Sequence, residues 1–413
     1  MLSNFERRHL QKSDGSLKKG VIKKKFSSGA EYIGQVAGGE KHGKGVYRFP
    51  RHARDSTQAE FYCGDFLRDT FDGPGVLVYK NFARFEGVFY NGRRNGKGKF
   101  YDVDGSLFIG EYVDDTKQGE GTLYYPNGHI FQGEFYNGEI DGKGHYKTKT
   151  KMLRGNFKNG LLNGRGKIGY KKTGSILEAD FVDGILDPEN KQSVLTYSNG
   201  DAYTGQLKFF QPRSLDGPYP EGEGVYRYSS GDTYEGQFSK GAFEGTGKLI
   251  LSIGSTYIGD FHEGKMEGKG VIEYESGARY EGQVKDGKPE GSGSLTEPSK
   301  VFYKGNWRAG AREGQGELIF ENGDRYEGGF KLGLREGQGA LEDTTGWIYS
   351  GGWREDVMHG KGVIRDDVGN EKEVFYIDGE RVEKGDYGTD AEGGGDELDD
   401  DDLDGDGNDI ELI

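Results

Sequence analysis

The chain has 413 residues, among them 75 glycines, 26 tyrosines, 24 phenylalanines and one cysteine, and a formal net charge of -15. Aliphatic residues are too few and glycines too many for the two or three thick domains that this length would ordinarily imply, so thin β-structure is expected. Cys63 alone excludes an intrachain disulfide and favours a reducing, intracellular compartment; no secretory h-region and no ~18-residue apolar run are found, so a soluble chain is expected.

Residues 1–31 form a basic segment. Over residues 1–30 its bases are Arg7, Arg8, Lys12, Lys18, Lys19, Lys23, Lys24 and Lys25, against Glu6 and Asp14. From Tyr32 a period sets in. Units begin at Tyr32, Tyr62, Phe85, Phe108, Phe131, Leu153, Tyr234, Tyr257, Tyr280, Tyr303, Tyr326 and Tyr349, and each carries glycines two, eleven and thirteen residues later. In the unit from Tyr303 these are Gly305, Gly314 and Gly316. Most steps are 23 residues, which defines a tandem repeat.

Each unit reads as a β-hairpin. Tyr303, Gly305 and Trp307 alternate with Lys304 and Asn306, and Gly314, Gly316, Leu318 and Phe320 share one face of the second half, the two-residue period of half-buried strands. Gly310, or Asp356 in the last full unit, sits at the loop between them, where positive φ is easiest. Asn127-Gly128, Asn199-Gly200 and Asn322-Gly323 are turn dipeptides joining one unit to the next. Glycine in mid-strand normally weakens a sheet. Here the bare positions are expected to make room for rings of neighbouring strands. The fold class is therefore all-β: an elongated, twisted, single-layer antiparallel sheet of tandem hairpins with an aromatic ladder on one face.

The regular block 32–176 ends at a degenerate repeat over 177–202. There Ala179 replaces the first glycine, and Pro188 and Asn190 stand where paired glycines belong. The Tyr203 unit holds extra residues before Gly222, within Phe209 to Pro220, and another insertion spans about Arg51 to Glu60. A kink is expected between block 32–176 and block 203–371. A capping strand is expected over 372–383. Residues 384–413 carry thirteen acids against Lys384 and read as a disordered acidic tail. With the acidity gathered there, nucleic acid is not expected as a partner.

No catalytic constellation emerges. Gly43-Lys44-Gly45 and its Gly-x-Gly equivalents recur in every unit and lack the context of a phosphate loop, a following Ser/Thr and a helix N-terminus. The histidines (His9, His42, His52, His129, His145, His262, His359) lack ligand spacing, and His42 and His359 hold the same repeat position, so no metal is expected. Cys63 has no identifiable activating partner. Asp402, Asp404, Asp406 and Gly407 resemble the start of a calcium loop, but Ile413 takes the place of the bidentate glutamate. No cofactor is expected, and the ends outside the repeats are too short to fold a catalytic domain.

The motifs Tyr-Glu-Gly-Gln-Phe at Tyr234, Tyr-Glu-Gly-Gly-Phe at Tyr326 and His359-Gly360-Lys361-Gly362 resemble the membrane occupation and recognition nexus (MORN) repeat, over about residues 32–371. Two readings of the ladder stay open. Its rings either pack only on one another and on glycine or, having no second layer above them, stand open as a binding surface. The resemblance implies that such a groove receives a helix or extended peptide of a partner protein. The residues expected to line it are Tyr234, Phe238, Tyr257, Phe261, Tyr280, Tyr303, Trp307, Tyr326, Phe330, Tyr349 and Trp353.

The resemblance further implies a non-enzymatic scaffold or adaptor, cytoplasmic and cytoskeleton-associated, similar to ciliary radial-spoke-head, axonemal and other cytoskeletal MORN proteins. The alternative is a peripheral phosphoinositide-binding scaffold that meets anionic lipid through Lys18 to Lys25. Unpaired sheet ends also favour a homo-oligomer.

Overall fold

A computed structural model describes residues 2–50, 58–187, 192–209 and 216–382. The acidic tail expected over 384–413, together with Pro188 and Asn190, lies outside the described residues. The described chain is thirty-two strands of open antiparallel sheet, with helical geometry at Leu2–Phe5 and, as a π-turn, at Glu6–Leu10. It divides into two compact units, Met1–Ser198 with Phe209–Pro218 and Asn199–Lys208 with Tyr219–Ile413.

Two kinds of turn build the meander. Within a repeat, two residues connect the strands with positive φ at both, as at Ala309 (49°) and Gly310 (90°) or Glu355 (45°) and Asp356 (70°). That is the type I′ geometry, whose twist matches that of the flanking strands. Between repeats the turn is longer and a single residue usually has positive φ, most often glycine but Phe82 (71°) and Lys300 (73°) in two turns. The Asn322 side chain accepts a hydrogen bond from the Asp324 N–H at 3.1 Å, and the Gly323 N–H (φ 94°) donates to the Phe320 carbonyl at 2.9 Å.

The registers explain the glycines. Gly293 faces Gly305, Gly305 faces Gly316, and Gly316 faces Gly328, so bare backbone runs across successive strands. The Tyr303 ring lies on that floor: a Cβ added to Gly316 would stand 2.5 Å from the phenol oxygen. The phenol donates to the Asn306 carbonyl at 2.9 Å, which fixes the ring in place. A bulge between Gly305 and Trp307 then turns Trp307 edge-on to Tyr303, with ring centroids 5.0 Å apart at 90°.

Repetition produces a ladder in each unit. In the first it runs Tyr32, Phe66, Tyr62, Phe89, Phe85, Tyr112, Phe108, Phe135, Phe131, Phe157, with edge-to-face contacts at 4.8–5.5 Å. In the second it runs from Tyr203 and Phe238 to Tyr257, passes Val284, and continues from Tyr280 and Trp307 to Tyr349 and Tyr376. Edge-to-face pairs at such distances add about 0.5–1.5 kcal/mol each beyond area burial. This row is the protein's core.

The sheet also reaches beyond the repeats. Val21–Lys25 pairs with Glu31–Ala37, so the basic segment supplies a strand, and Lys23 to Lys25 charge it against stray pairing. At the other end Glu371–Ile377 and Glu380–Val382 extend the meander.

Candidate functional site

The eleven rings expected to line a groove are brought together, but they do not stand open. Tyr234, Tyr280, Tyr326 and Tyr349 are fully buried, and even Trp307, the most exposed of the eleven, keeps only 7% of its surface. The expectation of an uncovered apolar face is therefore corrected: the sheet makes its own second layer. The covering side chain lies nine residues after each repeat start, at the opening of the second strand. Phe243 stacks on Tyr234 at 3.8 Å and 11°, and Phe71 stacks on Tyr62 at 3.9 Å and 16°. Elsewhere the cover is cationic. Lys117 stands 5.0 Å from the Phe108 ring, Arg312 stands 5.6 Å from Tyr303, and Arg335 stands 4.2 Å from Trp353.

Some covers are tied down by the next repeat. Arg335 donates from Nε to the Asp356 carboxylate at 3.1 Å and from Nη2 to the Asp356 carbonyl at 2.6 Å. Arg94 does the same to Asp115, and Lys41 reaches Asp69 at 2.6 Å. The signal was present in the sequence. The ninth position is bulky or basic in eleven of the twelve units, from Lys41 and Phe71 to Arg335 and Met358, with Pro289 the exception. Burial between glycine floor and cover holds the phenols of Tyr257, Tyr280, Tyr303, Tyr326 and Tyr349 up at about 12.

The other face of the sheet is where a segment is seen docked. Residues one and fourteen places after each repeat start face one another across strands and form a row on that face. In the first repeats it reads Ile33, Val46, Cys63, Val76. The N-terminal helical segment lies over it. Leu10 is fully buried against Val46 and Cys63, with Phe5, Val21, Ile33 and Val76 packed around them, and Glu6 reaches Arg48 at 3.6 Å. Lys18 donates its ammonium to the Arg8 carbonyl at 2.8 Å and closes the segment's far side. The sequence reading saw in this segment only charge. Phe5 and Leu10 were the missed signal, because five-residue spacing is not a helical period unless the helix is a π-turn.

In the second unit the corresponding row is largely polar and lines shallow depressions. One of about 650 Å³ lies among Glu281, Ser294, Lys304, Glu317 and Glu327, and one of about 440 Å³ among Lys269, Val271, Glu281 and Ser292.

The remaining sequence candidates are dispersed. Among the described residues no three His, Cys, Asp or Glu side chains stand close enough to hold a metal. His129 pairs with Tyr146 at 3.1 Å, His359 with Asp378 at 3.0 Å, and His262 with Glu244 at 3.1 Å, a hydrogen bond that raises the pKa of His262. Burial pushes the Cys63 thiol up to about 11, which keeps it protonated at neutral pH. Lys23 and Lys25 share one side of their strand with Ile33 while Lys24 lies on the side of Tyr32, so the lysines do not present one plane. No described helix is long and apolar enough to cross a membrane.

Fold and packing together define a tandem β-hairpin repeat protein. The MORN repeat family matches thirteen segments, 32–54, 62–84, 85–107, 108–130, 131–150, 154–172, 219–233, 234–256, 257–279, 280–299, 303–325, 326–348 and 349–371, and the chain belongs to that family. No curated protein matches the chain. Among solved structures it is similar to the TCP domain of Drosophila melanogaster SAS-4 in complex with a proline-rich motif of Ana2, at 12% identity and a TM-score of 0.25, over 37% of this chain and 82% of that one. It is similar to the TCP10 domain of Danio rerio CPAP at 11% identity and a TM-score of 0.24, over 66% of this chain and 95% of that one. It is likewise similar to an inactive virginiamycin B lyase from Staphylococcus aureus at 11% identity and a TM-score of 0.12, over 71% of this chain and 100% of that one.

Proposed function

We propose that this MORN repeat protein is a non-catalytic scaffold that holds protein partners on the sheet face opposite its rings, in a cytoskeletal and more narrowly an axonemal, radial-spoke-like setting. One observation carries the docking face. The chain's own helix rests on Ile33, Val46, Cys63 and Val76, whereas every ring of the ladder expected to bind a partner is roofed. A partner reaching the rings would first have to displace covers such as Arg335 and Phe243. The cytoskeletal setting rests on the family resemblance alone.

The test is affinity purification from the source cell with two variants. Charge reversal on the ring-free face (Lys304→Glu with Glu281→Lys) is expected to release partners, and removal of two covers (Arg312→Gln with Met358→Gln) is expected to leave capture intact. Capture lost only on altering the covers would place docking on the ring face. Recovery of axonemal proteins would support the narrower setting, and recovery of none would count against it.

A further inference from the structure

Between Gly142 and Leu177 the chain has ten Lys and Arg and no Asp or Glu. The strands that hold most of this charge, Glu139–Lys147, Lys151–Lys158 and Leu161–Tyr170, are neighbours in the sheet. Strand alternation sends Lys143, Lys147, Arg154 and Lys167 to the ring-free face, where all four are exposed.

Folding does not account for this strip. Arg154 and Lys167 hold the two positions, one and fourteen after the repeat start, that oppose each other across strands. In three other repeats both positions are charged, and there the signs are opposite: Glu86 with Lys99, Glu235 with Lys248, Lys304 with Glu317. Only here, among the twelve repeats, do like charges oppose, an arrangement that costs stability. His145 stands against Arg154 on its other side. Glu178 reaches Lys167 at 2.7 Å and Asp180 reaches Arg165 at 3.4 Å, which relieves one edge. Among the described residues no ion pair reaches Lys143, Lys147 or Arg154.

The strip is also narrow. Glu120 and Glu134 border it on one side and Glu178 and Asp180 on the other, which leaves about 10 Å from its first strand to its third. A lipid plane or a nucleic-acid duplex would meet those carboxylates as well. A single acidic segment fits between them.

The chain itself carries such a segment. Residues 384–413 hold thirteen acids against Lys384, and seven of the thirteen fall within Asp396 to Asp404, interleaved with Leu398 and Leu403. The strip in turn offers one exposed apolar side chain, Met152, opposite Lys147. We infer that the acidic segment 384–413 of one copy docks on the basic strip of a second copy. The segment follows the last strand of the second unit, whereas the strip belongs to the first, with eighteen strands between them in the chain. Strip and segment are different surfaces, so each copy offers one of each and association can continue from copy to copy. This contact goes beyond a face for foreign partners and does not depend on it.

Sedimentation velocity of the full chain over a wide range of concentration tests the contact. Reversible association is expected at low salt, weakening as added salt screens the charges. Lys143→Glu with Arg154→Glu should weaken it at least about tenfold, and so should Asp399→Asn, Asp400→Asn, Asp401→Asn and Asp402→Asn together. Both substituted bases are exposed, so the strip variant should melt no lower than the wild type. The strip variant combined with Asp399→Lys and Asp401→Lys should associate again.

Association that survives the strip and tail variants runs through other surfaces, the sheet ends among them, and would overturn the inference. Association lost on reversing the strip but kept on neutralising the tail would overturn residues 384–413 as the occupant. A chain that stays monomeric would overturn it too. If the strip variant then lowers the monomer's sedimentation coefficient, the segment lies on its own chain and the second copy falls.

Discussion

The repeat that begins at Tyr303 and the one that begins at Leu153 share their glycines and differ in what lies on them. In the first, the Tyr303 ring covers Gly305 and Gly316 and Arg312 covers the ring. In the second there is no ring at the start. Leu162, which holds the covering position, drops to the floor instead, and a Cβ added at Gly155 or Gly166 would meet it at 2.9 Å. Phe157 ends the first unit's ladder there, in contact with Phe131 at 5.3 Å. One strand further, Leu177 again supplies no ring, and Ala179 faces Gly166 where other repeats pair glycine with glycine. The glycines are thus a consequence of the rings. Where the ring goes, the covering residue fills the space and the requirement for bare backbone relaxes.

The largest expected difference between these repeats is at the ladder itself. Trp307→Ala should cost about 3–5 kcal/mol, because the indole is packed between Tyr280 and Tyr303 and donates to the Gly293 carbonyl at 3.1 Å. Leu153→Ala, at a half-buried leucine, should cost less than half of that in parallel urea titrations. Next comes the floor. Gly316→Ala would force the Tyr303 ring from its place at about 1–3 kcal/mol. Gly166→Ala meets only the flexible end of Leu162 and should cost a fraction of that. Equal costs would mean that the glycines serve the backbone and not the rings.

Alkali offers a third separation. The phenols at Tyr257, Tyr280, Tyr303, Tyr326 and Tyr349 stand at about 12 in the fold against an ordinary 10.0. A raised pKa favours the neutral ring in the folded state. Its contribution is therefore complete below pH 10 and is lost as pH rises from there through about 12. The Phe131 repeat has no phenol on its floor. Proteolysis at pH 11 should open the 257–371 stretch before the repeat at Phe131. Smaller still is Tyr303→Phe, which removes the bond to the Asn306 carbonyl and should cost about 1 kcal/mol. The smallest effect is expected at a turn. Leu332 holds φ 51° with its side chain exposed, so Leu332→Asn should stabilise by up to about 1 kcal/mol.

Much of this architecture was legible in the sequence because it is periodic. Glycines at fixed offsets from an aromatic imply a ring lying on bare backbone, and the registers place Gly305 against Gly316 beside Tyr303 accordingly. The candidate site was less legible. A strand pattern assigns side chains to faces but does not report what reaches over them. Arg312 and Arg335 both lie across rings, which no strand pattern reveals. The docked helix was hidden for another reason. Phe5 and Leu10 make a face only through the π-turn at Glu6–Leu10, and their partners Ile33, Val46, Cys63 and Val76 belong to four different strands, a row that appears only once the register is known. Asp356, expected only as a loop residue where positive φ is easy, also holds Arg335 in place, as Asp115 holds Arg94.

The central claim is that the rings are interior, and tryptophan reports on it directly. In a Trp347→Phe chain only Trp307 and Trp353 emit, and acrylamide quenching measures their contact with solvent. Blue-shifted emission that barely responds to the quencher, with or without bound partner, is the predicted result. Emission at the wavelength of a hydrated indole, readily quenched in the free protein and protected by a partner, would contradict it and return docking to the ring face.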